Sequence, residues 1–205
     1  MTYLPDQLQK TPGFELITCF AFLHPISEEI ATFISGKSTY LSVKKGKFIR
    51  STLDTKEKLY FIIRGCVRGF IKDEGQEITT WINGENHVVG SIRSLGLDQE
   101  TEEHLQVIED SLLIEIERQA IDEMYERFPE ANIIGRKILE RYYRDAEERA
   151  FLSRLPSAER RYRRFTRTRP ELVGRIPMKY VASYLSMTLE TLCRIRAKAL
   201  QNPPL

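Results

Sequence analysis

Glu190 and Arg194 stand four residues apart in the stretch Thr188-Leu-Glu-Thr-Leu-Cys-Arg-Ile195, so on a helix both side chains leave from one face. A carboxylate there can accept a hydrogen bond from a cytosine amino group, and a guanidinium can fork onto O6 and N7 of guanine. The pair is therefore equipped to read base edges in a major groove. The same spacing also makes an ordinary surface ion pair, worth a few tenths of a kcal/mol. Charge distribution favours the first reading. Residues 156–205 hold eleven Lys or Arg against three acids, or +8, whereas the rest of the chain holds 20 bases against 26 acids, or −6. The net charge of +2 conceals that split. A basic module on an acidic body suits a polyanionic partner for the module alone. Thr188 is placed to cap the helix and Thr191 sits in its first turn. Arg196, Lys198 and Lys179 are placed to meet phosphates, and the basic run 160–169 to meet phosphates or acidic neighbours.

Nothing comparable supports catalysis. The chain lacks a Gly-x-Ser-x-Gly elbow, a glycine-rich phosphate loop and a His-Glu-x-x-His pair, and it reads as a non-enzyme without catalytic residues. Cys19, Cys66 and Cys193 are widely spaced and odd in number, which fits a reducing compartment. No Cys/His cluster has metal-ligand spacing, so no metal or cofactor is expected, and His87 and His104 read as structural residues of strands. An uninterrupted apolar run of membrane-spanning length is missing, as is a basic start followed by an apolar run. A cytoplasmic location without a membrane partner is expected. The 41% apolar and 29% charged fractions over 205 residues are those of a globular chain of one or two domains.

The elements that must position these residues fall into blocks. Two short helical patterns occupy residues 14–35, with Phe14, Ile17, Phe20 and Phe22 on the first and Ser27 capping the second. Short apolar or alternating runs follow at 40–43, 59–63, 66–71, 77–82, 86–89, 104–107 and 112–116, separated by turns such as Lys45-Gly46 and Asp73-Glu-Gly75. Such spacing predicts an antiparallel sandwich or roll, with two strands pivoting on Gly65. A helix over 117–127 ends before Pro129, and a longer one runs from about 130 to 152, spanning about 35 Å. On it Ile134, Ile138, Tyr142, Ala146 and Ala150 recur every fourth residue, with Leu139 and Tyr143 widening the stripe. That stripe either packs on the chain's own roll or pairs with a second copy. Ser157 caps the next helix, Pro177 occupies the first position of a short one over 178–184, and Thr188 caps the last, which runs to about 199. The final two form a helix-turn-helix pattern held by Val181, Ala182, Leu185, Leu192, Ile195 and Leu200. The fold class is α+β: a β-roll over 1–128, a connecting helix over 129–153 and a helix-turn-helix over 154–205.

This order of parts resembles the Crp–Fnr superfamily of bacterial transcription regulators. The resemblance rests on the Ile62-Ile-Arg-Gly65-Cys-Val-Arg-Gly69 hairpin, the long helix and the stretch from Thr188 to Ile195. Glu190, Thr191, Arg194 and Ile195 agree with the family pattern Ser-Arg-Glu-Thr-Val-x-Arg-Ile, whereas Leu189 stands where the family has a base-reading arginine. The stretch Ile176–Leu185 is also similar to Bacteroidetes-type members. The resemblance implies a homodimer on a near-palindromic operator in double-stranded DNA, with RNA polymerase as a further partner. It also implies an effector pocket, built in the family from a Gly-Glu pair and an Arg-Ser pair. Here those positions fall at Gly90-Ser91 and near Thr101-Glu102, inside the acidic run 98–103, with Arg93 as the nearby base. Acids there would repel a cyclic phosphate. Cyclic AMP is therefore not expected as the effector, and another small molecule is left open. The rival expectation is a small-molecule sensor or protein-interaction module that does not read DNA.

Overall fold

Alternation along the middle of the chain sets up two four-stranded antiparallel sheets, and their inner faces form one core. In the computed structural model, residues 11–54, 57–90 and 102–201 are described. One sheet has β1 (Thr39–Val43), β8 (Ser111–Glu117), β3 (Lys58–Arg64) and β6 (Val88–Val89) in that order. The other has β2 (Phe48–Arg50), β7 (His104–Val107), β4 (Val67–Asp73) and β5 (Gln76–Asn83). Tyr60, Ile62 and Leu113 of the first sheet pack against Val67, Trp81, Leu105 and Val107 of the second. Their alternates Phe61, Ile114 and Ile116 face outward into a second core against helices, as a strand's period of two requires.

That second core is built by α1 (Phe14–Leu23), α2 (Glu28–Lys37), α3 (Arg118–Arg127) and the start of α4 (Pro129–Arg154). Ser27 caps α2 by accepting from the Ile30 amide, and its hydroxyl donates to Glu130 of α4 at 2.7 Å. A third core holds α5 (Ala158–Thr168), a 3-10 turn at Pro170–Leu172, α6 (Met178–Tyr184) and α7 (Leu189–Gln201). Leu152, Phe165, Val181, Ala182, Leu185 and Leu192 fill it together with Cys66, Ile82 and Ile108 of the roll. The helical module is thus joined to the roll by shared apolar burial.

The α+β class read from the sequence is the observed one. Three local details differ. β2 escaped the pattern because it has three residues and a register break between Phe48 and Arg50. β6 starts at Val88 because Asn86 adopts a left-handed φ of 63° and turns the chain. Pro177 lies one position before α6, at ψ 132°, as its N-cap. Gly65 is required where it stands: its φ is +111°, and a Cβ would lie 1.9 Å from Ser111 Oγ.

Candidate nucleic-acid interface

The face of α7 left open is the one that carries Glu190 and Arg194. Both are exposed, as are Cys193 and Ala197, so positions 190, 193, 194 and 197 form one surface strip while Leu192 points into the core. Thr188 caps the helix by accepting from the Thr191 amide at 3.2 Å, and its hydroxyl lies 3.1 Å from that of Thr191. Glu190's own backbone amide, then the Thr188 hydroxyl, hold its carboxyl below the usual carboxylate range. It therefore stays ionised and acts only as an acceptor. No ion pair joins it to Arg194 among the described residues, and the Arg194 side chain makes no hydrogen bond there. The surface-pair reading of these two residues is not what the geometry presents. Leu189 is 41% exposed beside them.

The other basic residues divide into two groups. Arg196 is half-buried and donates to Met178 Sδ, while Lys198 lies 3.5 Å from Glu159, so both engage their own module. Lys179 is exposed, with its ammonium 4.9 Å from the Tyr180 ring centroid. Within the run 160–169, Arg164 forks onto Glu148 and Arg161 donates to the carbonyls of Leu155, Leu185 and Ser186. Arg160, Arg163 and Arg167 are exposed on one side of α5 and make no ion pair among the described residues. Of the run read from the sequence as basic, these three arginines are the ones left exposed on α5, and Cys193 is an exposed residue of the α7 strip that the sequence reading did not single out.

A set of contacts invisible in the sequence holds this module against the roll. β5 is an edge strand, and α6 covers it: Ser183 donates to the Glu77 carbonyl at 3.0 Å and accepts from the Thr79 amide at 2.9 Å. Arg68, almost wholly buried, stacks between the rings of Phe70 and Tyr180 at 4.1 and 3.6 Å. Its guanidinium is satisfied by Gln106, Thr79 and Glu77. Arg169 donates to the Ile82 carbonyl, and Arg175 to Glu85, Glu109 and the Gly65 carbonyl. Its hydrogen bonds with Arg175 pull the Glu85 carboxyl down to about 2.

The long helix α4 contributes on two sides. Ile134 is buried and Ile138 packs against the same helical core, while the Tyr142 hydroxyl bridges the Val88 amide and carbonyl. These three residues of the expected stripe face the chain's own roll, because α4 is fastened to α2 and β6 along its first half. Ala146 and Ala150 remain exposed, together with Leu139 at 63% and Tyr143 at 67%. Between α4 and the strands β5 and β6 lies a cavity of about 950 Å³, lined by Trp81, Val89, Gly90, Glu103, Leu139 and Tyr143 among others. Glu103 is 4% exposed and accepts from Trp81 Nε1 at 2.8 Å and from the Thr80 hydroxyl at 3.0 Å. Arg136, Arg144 and Arg149 of α4 line it as well, Arg136 being paired with Glu140. Ser91, Arg93 and Thr101 lie outside the described residues. His87 accepts from Arg141 through Nε2, and burial, then the neighbouring Arg141 charge, lower its pKa. No group of three potential metal ligands occurs among the described residues, and none of their helices is long and apolar enough to cross a membrane.

Residues 40–128 match the model of the cyclic nucleotide-binding domain family. The solved structures extend the likeness to the rest of the chain. A protein from Eubacterium rectale, ascribed to the crp/fnr family of transcriptional regulators, superposes with a TM-score of 0.70 at 17% identity, over 90% of this chain and 88% of its own. The chain has the Crp/Fnr fold. FixK2 from Bradyrhizobium japonicum shares that fold at a TM-score of 0.69 and 17% identity, over 80% of this chain and 85% of its own. CLP from Xanthomonas campestris, a c-di-GMP-responsive global regulator, gives 0.64 at 17% identity, over 86% and 93%. No curated protein matches the chain by sequence. In this Crp/Fnr fold the segment matched as a cyclic nucleotide-binding domain covers β1–β8 and α3, and the α4 cavity opens beside it.

Proposed function

We propose that this protein is a sequence-specific, DNA-binding transcription regulator that acts in the cytoplasm as a homodimer on a near-palindromic operator. The observation that carries the reading is the open strip of α7, where an ionised Glu190 and an uncommitted Arg194 stand side by side on a module of charge +8. A helix presenting such a strip fits the major groove and reads edges with its first turns. The exposed arginines of α5 supply phosphate contacts that set register without reading sequence. Residues 154–205 are assigned to DNA, residues 1–128 to a sensor-like roll and residues 129–153 to dimerisation. Support for the dimer comes from Leu139, Tyr143, Ala146 and Ala150, whose 4-3-4 spacing is that of a coiled-coil seam.

The α4 cavity is the natural place for an effector, but it does not suit a cyclic nucleotide. Gly90 is retained in the wall, but Ser91 stands where the family has its glutamate, and the sequence over 98–103, where the family's Arg-Ser pair would fall, is acidic. Calorimetric titration with cyclic AMP is expected to show no binding at micromolar concentration, and micromolar affinity would overturn this assignment.

The deciding experiment is selection of duplexes from sheared genomic DNA by the purified protein at about 0.15 M salt, with sequencing of the bound fraction. An inverted repeat with half-sites about one helical turn apart is the expected result. Retention without a common sequence would overturn base reading by Glu190 and Arg194, and would favour the rival reading as a sensor or protein-interaction module.

A further inference from the structure

Arg50 ends β2 with only 6% of its surface exposed. The other deeply buried arginine, Arg68, is fully satisfied by hydrogen bonds and two rings. Arg50 is not: its side chain makes no hydrogen bond or ion pair among the described residues, and its buried Nε has no partner. A guanidinium cannot shed its charge at accessible pH, so burial without a counter-charge is strongly unfavourable unless an anion completes the site. Arg50 lines a cavity of about 660 Å³ formed by β1, β2 and the loop after β2, over β3 and β8. This cavity shares no lining residue with the one beside α4.

The charges around Arg50 are largely spoken for. Lys58 pairs with Glu115 at 2.7 Å and Lys44 with Asp110 at 2.7 Å, while Asp54 accepts from the Ser51 amide at 2.6 Å and makes no ion pair with Arg50 among the described residues. The Tyr60 hydroxyl donates to the Ile49 carbonyl at 2.8 Å. Arg50 inside and Lys47 at the rim are the lining cations left without a carboxylate. Leu41, Val43 and Tyr60 supply apolar wall between them. We propose that this cavity binds a small organic anion, its carboxylate or phosphate oxygens on the Arg50 fork and its apolar body against Leu41, Val43 and Tyr60. A planar guanidinium meets two oxygens at once, which a lysine cannot do.

The test is thermal unfolding of the full chain titrated with hexanoate, with inorganic phosphate, and with sodium chloride at matched ionic strength. At least one of the two oxyanions is expected to raise the melting temperature saturably, whereas chloride does not. Which one does so assigns the head group. In Arg50→Met the saturable rise disappears, and the ligand-free protein melts no lower than wild type because an unpaired buried charge has been removed. Should that variant not fold, Arg50→Lys is expected to bind about tenfold more weakly through loss of the two-point contact. An equal rise in the Arg50 variant would be the general salting effect of phosphate and would overturn the proposal, as would no saturable rise in wild type. Asp54→Asn separates the rival explanation. If Asp54 were the counter-ion of Arg50, its loss would lower the melting temperature sharply, and that result also overturns the proposal.

Discussion

Arg194 and Leu189 share the exposed start of α7 but offer different contacts, a forked donor pair and an apolar surface. The first suits guanine and the second the methyl group of thymine, so the operator need not be one read by an arginine at position 189. Arg194→Ala is expected to weaken binding to the selected operator by about 1–3 kcal/mol and to relax selectivity at one base pair per half-site. Equal weakening on all duplexes would make Arg194 a phosphate contact. A second residue-scale prediction concerns Glu85. Arg175 lowers its pKa from 4.5 in the unfolded chain to about 2 in the folded one. The native state therefore binds fewer protons than the unfolded state between those values. The stability contributed by the pair is complete above pH 4.5 and is lost as the pH falls towards 2. Glu85→Gln should cost about 1–2 kcal/mol at neutral pH, with the gap to wild type closing in denaturant melts taken from pH 5 down to pH 3.

At the scale of elements, the contact of α6 with β5 ties the helical module to the roll. An edge strand leaves amides and carbonyls without ladder partners, and Ser183 satisfies one of each, the Thr79 amide beside the bulge opposite Gly69 and Phe70 and the Glu77 carbonyl opposite Lys72. A bulge is where such help is needed, because the extra residue breaks the local ladder. Ser183→Ala would leave the buried Thr79 amide without its acceptor, at about 1–3 kcal/mol. Hydrogen exchange at Thr79 is expected to accelerate by one to two orders of magnitude, while amides of the central strand β3 stay as protected as before. Unchanged exchange at Thr79 would show that the α6 contact contributes nothing to the edge.

For the whole molecule, the proposed dimer turns on α4. Its inner side is committed to the roll through Ile134, Ile138 and Tyr142, which leaves the side bearing Leu139 and Tyr143 open for the association we propose. Burying those two residues in a parallel pair would bring two DNA-facing modules to a fixed spacing, as an inverted repeat demands. Tyr143→Glu would place like charges across the proposed seam and is expected to leave the protein monomeric in sedimentation where wild type is dimeric, with loss of operator binding and little change in circular dichroism. A dimer that survives Tyr143→Glu would place the interface elsewhere.

Local features of the chain were sufficient for much of this. Turn residues at short intervals mark most strands of the roll, Ser27, Ser157 and Thr188 mark helix starts, and the i,i+4 step from Glu190 to Arg194 marks the open strip of α7. Each of these depends on residues within one turn or one hairpin, which is why periodicity and capping reveal them. What depends on distant partners was not legible. The Tyr142 hydroxyl meets Val88, 54 residues away, and this shifts the free apolar face of α4 from the Ile134–Ile138 side to Leu139 and Tyr143. Ser183 meets Thr79 across 104 residues, and Arg175 meets Glu85 across 90. Arg50 looks like any other base in the sequence. Only the packing of β1, β2 and β8 buries it beside a cavity without an ion-pair partner among the described residues. Composition and pattern determined most of the elements and put Glu190 and Arg194 on one helix face, because both are short-range properties of the backbone. Tertiary structure alone decided which apolar faces are already covered and which charges lack partners, because burial is set by residues far apart in the chain.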